Sequence, residues 1–577
     1  MAEYLSPGVY VEEFESGGKP IEGVGTSTAG FIGLAEKGPI EGVPQLVTNF
    51  SDFKRIYGGY LSQNEFGEYR YLAYAVESFF VNGGSRCFVS RVAPADAKAS
   101  IGYAAAKDVP IVKISAQNPG IWGDSIKVTV TPASKAKTQI TEVIAAGDET
   151  KYRVKNGAGF NPGDVVAFID KTTTVYNKVV KNQDNIITFA NSFPDDVVDN
   201  NLVPQKIIST CEFTLEVKYG DSIELYENLS FNINAANYIS KKTAKSDLVV
   251  TEYVGNGDEE IIHPFFLIAG EGAKAATISL ANGSNGSVSS ISAADFIGTD
   301  NGAGKRTGIQ SFLDNDMVSI MAIPGVIDPN VQLTLVAHCE NLASRFAVLD
   351  VPRDAKKVND IIEHRNIFDS TYAALYHPWI ETFDPLDKKT IAIPPSGAVI
   401  GIYARSDNTR GVHKAPANEV VRACTGLDCQ FNKGEQDILN PKGVNLIRTF
   451  PGQGIRVWGA RTVSSDGSWK YVNVRRLFIF IEESIKANTN WAVFEPNDEV
   501  LWVRVQRTIS VFLNTLWRNG SLAGGSPEEA FFVDIGRATM TQDDIDNGRL
   551  ICVIGVAPVK PAEFVIFRIT QKTATAE

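Results

Sequence analysis

Among 577 residues the chain has only five histidines and six cysteines, and its charge excess is not of the basic sign. Each shortage removes a class of function. His263, His338, His364, His377 and His413 form no H-E-x-x-H pair and no G-x-S-x-G elbow precedes them, so neither zinc-protease nor α/β-hydrolase chemistry is signalled. Cys87, Cys211, Cys339, Cys424, Cys429 and Cys552 are scattered, and they read as free thiols, most of them buried, and not as a disulfide framework. Cys424 and Cys429 are the one close pair, and no second pair or nearby histidine completes a zinc set. Acidic residues outnumber basic ones by 67 to 55, which opposes a nucleic-acid binder working by bulk charge. Apolar runs such as Leu550 to Val559 fall far short of the roughly 20 residues that cross a bilayer, so no membrane insertion is expected. Met1-Ala2-Glu3-Tyr4 opens no basic-then-apolar leader, and a cytosolic protein is expected.

Motifs for phosphate chemistry also fail. Gly23-Val24-Gly25 begins a G-x-G-x-x-G, but Thr28 stands at the sixth position. Gly304-Lys305 lacks the upstream glycine, where Thr299 stands, and the following hydroxyl, where Arg306 stands. Glu482-Glu483 and Asp543-Asp544 are adjacent pairs, which on a helix point apart and cannot share one proton. No catalytic, cofactor or metal site is expected, and the chain is not read as an enzyme.

What is present is ordinary globular composition, 44% hydrophobic and 21% charged, in a chain too long for a single core. From Thr26 to about Ala93 a β-α-β unit is expected. It comprises a strand over Thr28–Ala35, a short helix capped by Ser51, a longer helix over about Glu68–Asn82, and a strand over Arg86–Val92. From about Ala97 to Gly304 alternating runs such as Ile126–Val130, Val165–Ile169 and Phe213–Val217 predict mostly antiparallel β structure, with Thr141–Gln205 as a small nested β unit. From Arg306 onward strands and helices alternate again. Met317–Ala322 and Phe346–Val351 read as strands, Asp328-Pro329 opens a helix through Ser344, and Asp354 caps another to about Arg365. Helices near Val474–Ala487 and Asp498–Asn519 follow, then strands over Ala530–Ile535, Leu550–Val556 and Phe564–Thr570. The simplest architecture is an α/β (α+β) core assembled from N- and C-terminal segments, 26–96 and 305–560, with a mostly antiparallel β domain, 97–304, inserted between them.

The two ends stand apart from these zones. Leu5-Ser6-Pro7-Gly8-Val9-Tyr10-Val11-Glu12-Glu13 places a turn before a short β-prone run, and residues 561–577 carry Phe564, Val565, Ile566, Phe567 and Ile569, apolar on both alternating faces. Such terminal strands are satisfied by joining a sheet, including one in another copy. Residues 1–25 and 561–577 are therefore expected to be exchanged arms, linked through Val9, Tyr10, Val11 and Glu12 at one end and the five C-terminal apolar residues at the other. Thr541 to Gly548 predicts a capped helical turn. Its Asp543, Asp544 and Asp546 either complement the helix dipole or form an acidic docking face.

These ends carry a resemblance. LSPGVYVEE and PAEFVIF resemble the opening and ending of contractile tail sheath proteins of phages, phage-derived bacteriocins and related injection systems. Further matching segments run in order: Gly25–Pro39, Asn118–Asp124, Tyr226–Ser230, Arg306–Gln310, His413–Asn418, Trp458–Thr462 and Tyr471–Arg476. The resemblance implies a subunit of a six-start helical sheath around an inner tube, with the arms completing sheets in adjacent subunits and the 97–304 domain outermost. It implies a metastable extended state whose release drives contraction, and partners that are other copies, an inner tube protein, a baseplate and a tail terminator. Such a protein is assembled in the producing cell into a virion tail or phage-tail-like particle. Asp543, Asp544 and Asp546 are the candidate inner-tube contact. A nucleotide-binding α/β enzyme and a β-rich surface adhesin are the competing readings.

Overall fold

Segments from opposite ends of the chain share one sheet. The structure, a computed structural model, describes residues 21–105, 109–145, 150–169, 174–191, 206–255, 260–566 and 568. Strand Ala29–Leu34 lies between Cys87–Val92 and Ile320–Ala322 and runs parallel to both. Phe346–Asp350, Ala373–His377 and Val444–Phe450 continue the parallel array. Antiparallel strands finish it, Gln45–Val47 at one edge and Gly454–Val457 with Glu419–Val420 at the other. Ala29–Leu34, Cys87–Val92 and Phe346–Asp350 are buried at every position, as strands covered on both faces must be.

Successive residues of those strands feed different cores. Phe31, Ile320 and Val348 pack with helices Leu72–Asn82 and Ser396–Arg410, whereas Ile32, Met321 and Ala347 pack with helices Pro329–Leu342 and Val358–Arg365. Helix Ser396–Arg410 was not expected, because nearly all of its residues from Ser396 to Ser406 are buried and no polar face betrays the helical period. It packs backbone to backbone on Leu72–Asn82: a Cβ at Gly397 would stand 2.4 Å from the Ala75 carbonyl, and one at Gly401 2.5 Å from that of Phe79. Caps also differ in detail. Asn49, not Ser51, accepts from the Asp52 N–H at 2.8 Å and starts helix Phe50–Tyr57. Asp354 caps nothing, since its helix begins at Val358 after Lys357. Asp328 does cap Pro329–Leu342.

In the inserted region the described strands pair antiparallel. A four-stranded sheet, Ser222–Leu229, Glu212–Tyr219, Lys127–Ala133 and Ala276–Ser279, packs on a three-stranded one, Val249–Tyr253, Val112–Ala116 and Ile101–Ala104. Ile114, Val128, Phe213 and Phe265 fill the space between. Between Lys127–Ala133 and Glu212–Tyr219 the chain closes a six-stranded barrel. Its strands are Lys137–Ala145, Thr150–Val154, Val165–Ile169, Thr174–Gln183, Ile186–Phe189 and Ile207–Thr210, around Ile140, Phe168, Val179, Ile187 and Ile208. At its base Lys135 Nζ sits 2.7 Å from Asp164 and 3.2 Å from Glu212, and the Asn232 amide donates to Asp164 at 3.0 Å.

The last part of the chain adds a separate small core. Helices Val472–Asn488 and Glu499–Arg518 pack with the hairpin Phe531–Ile535/Cys552–Val556 through Leu477, Trp502, Leu513 and Val533.

Candidate subunit-linking site

Helix Val472–Asn488 receives both ends of the described chain. At its C-terminal half the Val24 N–H donates to Ser484 Oγ at 3.1 Å, and the Asn488 amide donates to the Glu22 carbonyl at 3.0 Å. Gly23 lies so close to Phe480 that a Cβ would approach the ring to 2.7 Å. Arg476 makes a two-pronged pair with Asp407, at 2.6 and 3.0 Å, and also donates to the Thr26 carbonyl, while Thr26 Oγ1 donates to Asp407 at 2.6 Å. The two charged side chains are 4% and 3% exposed. Thr26 is thereby locked between helices Val472–Asn488 and Ser396–Arg410.

At the N-terminal half of the same helix the chain's other end is fixed. The Asn473 amide donates to the carbonyls of His413, at 2.7 Å, and Val559, at 3.2 Å. Four residues later the Glu563 carboxylate is held from three directions. Oε1 accepts from Arg461 Nε at 2.7 Å and from the Asn440 amide at 2.8 Å. Oε2 accepts from Arg461 Nη2 at 2.6 Å and from the Tyr471 hydroxyl at 3.0 Å. Lys470 Nζ stands 3.6 Å away. Burial by itself would raise this carboxyl, but the bonds from Arg461 and Asn440, the Arg461 charge and the Tyr471 hydroxyl together hold it at about 2. The two attachment points, Ser484–Asn488 and Tyr471–Asn473, are roughly 20 Å apart at 1.5 Å per helical residue.

Immediately beyond Glu563 the chain turns apolar and uncovered. Phe564, Val565 and Ile566 are 72%, 69% and 79% exposed. The expected strand Phe564–Thr570 is not formed over these residues, because a strand exists only against a partner and none of the described residues pairs with them. Phe564 and Val565 border a groove of about 1020 Å³ whose lining includes Arg410, Lys414, Lys433, Arg448 and Lys560 against Asp437 and Glu563. Phe567 and Ile569 lie outside the described residues, as do Val9, Tyr10, Val11 and Glu12.

The acidic turn is helix Gln542–Asp546, between the two strands of the last hairpin. Thr541 and Asp544 form a reciprocal cap: the Asp544 N–H donates to Thr541 Oγ1, and Asp544 Oδ2 accepts from the Thr541 N–H at 2.9 Å. The bonds from Thr541 hold the Asp544 carboxyl below its ordinary range. Arg549 pairs with Asp543 at 2.8 Å and with Asp544 at 3.0 Å, and Asp546 accepts from the Gln542 amide at 2.8 Å. Asp543 and Asp544 are thus engaged locally, and Asp546 is the least committed charge.

Nucleophile–histidine contacts among the described residues include Ser521 Oγ, 3.0 Å from His413 Nδ1, and Cys429 Sγ, 3.7 Å from His377 Nε2. Burial raises the Cys429 thiol to about 11 and lowers the His377 imidazole to about 4, so the thiolate that chemistry would need is disfavoured. Sequence reasoning assigned no role to Glu563 and Arg461, although both lie in segments that carried the resemblance. A lone acid in a tail and a lone arginine 102 residues before it give no local signal.

Two family models match in succession, the phage tail sheath protein central domain over residues 303–463 and the phage tail sheath C-terminal domain over 464–572. The chain belongs to the contractile tail sheath family. As a sheath protein it is 25% identical to the tail sheath protein of Escherichia phage P2 over 292 residues, 48% of this chain and 71% of that one. Its fold matches two solved sheaths along nearly their whole length. One is the PVC sheath complex of an extracellular contractile injection system in the contracted state, at 21% identity, covering 99% of each chain with a TM-score of 0.52. The other is the anti-feeding prophage helical sheath in the contracted state, at 20% identity, covering 98% of this chain and 99% of that one with a TM-score of 0.51. The chain is a structural sheath subunit.

Proposed function

We propose that this sheath subunit polymerises helically around an inner tube in a metastable extended state and contracts, when released, to drive that tube through a target envelope. The observation that carries the reading is the attachment of both ends of the described chain to one helix, with an uncovered apolar segment leaving beside Glu563. Arms leaving a common helix link one core to its neighbours on two sides. A head-to-tail contact that does not close makes a filament. Strand addition through Val9, Tyr10, Val11 and Glu12 on one side, and through Phe564, Val565, Ile566, Phe567 and Ile569 on the other, supplies backbone hydrogen bonds that persist while rigid cores rotate. The extended state is held kinetically, so contraction draws on stored conformational free energy and needs no nucleotide.

The partners in this reading are other copies of the chain, an inner tube protein, a baseplate and a terminator, within a virion tail or phage-tail-like particle assembled in the producing cell. The inner-tube contact is the turn bearing Asp543, Asp544 and Asp546, with Asp546 supplying the freest carboxylate. Contacts of exposed charge give specificity more than strength and weaken with salt.

Negative-stain microscopy of the purified chain tests the assembly. Full-length protein is expected to form striated hollow tubes, and variants lacking residues 1–14 or 564–577 are expected to stay folded and fail to do so. Normal tubes from both truncations would overturn arm exchange. For the turn, replacing all three aspartates with asparagine should leave sheaths without tubes inside. Tube-filled sheaths with unchanged salt sensitivity would reduce the turn to a helix cap.

A further inference from the structure

We infer that Glu563 is the pin that fixes where the C-terminal arm leaves the subunit and carries tension from that arm into the central sheet. The inference rests on the arm-exchange reading above. Its basis is a continuous chain of short, largely buried bonds. Glu563 grips Arg461 through two parallel N–H···O bonds of 2.7 and 2.6 Å, the arrangement in which a carboxylate and a guanidinium bind most strongly. Arg461 is fastened in turn by its backbone. Its N–H donates to Asn445 Oδ1 at 2.7 Å, and its carbonyl accepts from Asn445 Nδ2 at 2.8 Å. Asn445 is fully buried in strand Val444–Phe450, and its amide also reaches the Leu375 carbonyl of the neighbouring strand at 3.2 Å. A pull on residue 564 therefore passes through three side chains, those of Glu563, Arg461 and Asn445, into two strands of the parallel sheet.

The next attachment upstream is the Asn473–Val559 bond. Without the pin, residues 560–563 would join the free span, and four residues add about 13 Å of reach at full extension. An arm with that slack presents its strand to a neighbour at a lower effective concentration and in a less defined position. The carboxylate thus sets the length of the link between subunits. Nothing in the fold of the single chain requires it, since Glu563 lies beyond the last hairpin.

Glu563→Gln removes the charge with little change in shape and serves as the test, beside the full chain and the variant ending at Glu563. The pinned arm predicts that unassembled E563Q keeps the circular dichroism of the folded chain, with its melting temperature lowered because the largely buried Arg461 guanidinium loses its countercharge. It predicts that tube formation needs about tenfold more protein, and that the tubes formed have a broader axial repeat in their diffraction. If E563Q forms tubes at the wild-type concentration with the wild-type repeat, while the variant ending at Glu563 forms none, arm exchange stands and the pin is refuted. If the variant ending at Glu563 forms normal tubes, exchange of the C-terminal arm fails and the pin falls with it. Loss of the folded-chain circular dichroism in E563Q would make Glu563 a group the fold itself requires and likewise overturn the inference.

Discussion

The central sheet pairs Ala29 with Ile320, whereas the barrel closes entirely between Lys137 and Thr210. The sheet therefore cannot form until most of the chain is present, and it is sealed by long-range buried polar contacts such as Arg476–Asp407 and Thr26–Asp407. The barrel joins the rest of the molecule through Lys135 and Glu212, the Asn232 contact, and Tyr176, whose ring packs edge-on against His263 and Phe266. Local closure costs less chain entropy and leaves the surrounding sheet intact when it is lost. The two regions should therefore fail unequally: damage to the sheet should be global, and damage to the barrel should stay within it.

The largest expected effect is in the core. Asp407→Ala strips a buried arginine of its partner, and such a loss costs about 3–5 kcal/mol. Thermal unfolding should show the whole molecule destabilised, barrel included, or no soluble protein. A change under about 1 kcal/mol would mean that the pair contributes little to holding the N-terminal segment.

The matching test in the barrel is Phe168→Ala. Truncating a fully buried phenylalanine costs about 3–5 kcal/mol. Here the loss should appear as faster hydrogen exchange confined to 137–210, with core amides and tube assembly unchanged. Core amides exchanging faster by the same factor would show the two regions to be one cooperative unit.

Acid separates the regions without mutation. Burial holds His338, His364 and His377 neutral, pulling each from 6.5 down to about 4, with the Arg345 charge adding to the effect at His338. Lowered in the fold, these groups contribute stability that is present above about pH 6.5 and lost as pH falls toward 4. Burial of Asp350 acts in the opposite direction. It raises that carboxyl to about 6 despite bonds from Ser396 and Gly325, so its contribution is present at low pH and fades as pH rises through 6. Three groups outweigh one, and core stability should drop between pH 6.5 and 4. The barrel segment itself contains no histidine; His263, which burial also lowers to about 4, lies outside it and packs on its Tyr176. Exchange rates corrected for intrinsic pH dependence should diverge between the two regions, and a parallel response would break the contrast.

The smallest effect is Thr541→Ala, which removes one half of the reciprocal cap at a cost of about 1 kcal/mol to the last hairpin region. Calorimetry should register it with tube formation unaltered. Failure to assemble would give the turn a role in contacts between copies.

Much of the fold was written in local sequence. Asp328-Pro329 and the Thr541 turn are short-range signals, and each produced the expected helix because capping satisfies backbone donors within four residues. Alternating runs in the inserted region likewise declared antiparallel strands, since period-two patterning is imposed by the pleat alone. The ordered segments resembling contractile sheaths led to the family. What the sequence could not decide depends on residues distant along the chain. Helix Ser396–Arg410 has almost no exposed face, and its glycines make sense only against Ala75 and Phe79. The barrel's closure depends on Ile207–Thr210 pairing with both Lys137–Ala145 and Val165–Ile169. Glu563 is one acid among 67 acidic residues until tertiary structure brings Arg461, Asn440 and Tyr471 around it. Periodicity and capping act over a few residues and are legible in one dimension, whereas backbone contact, sheet closure and a buried ion pair are properties of approach in space.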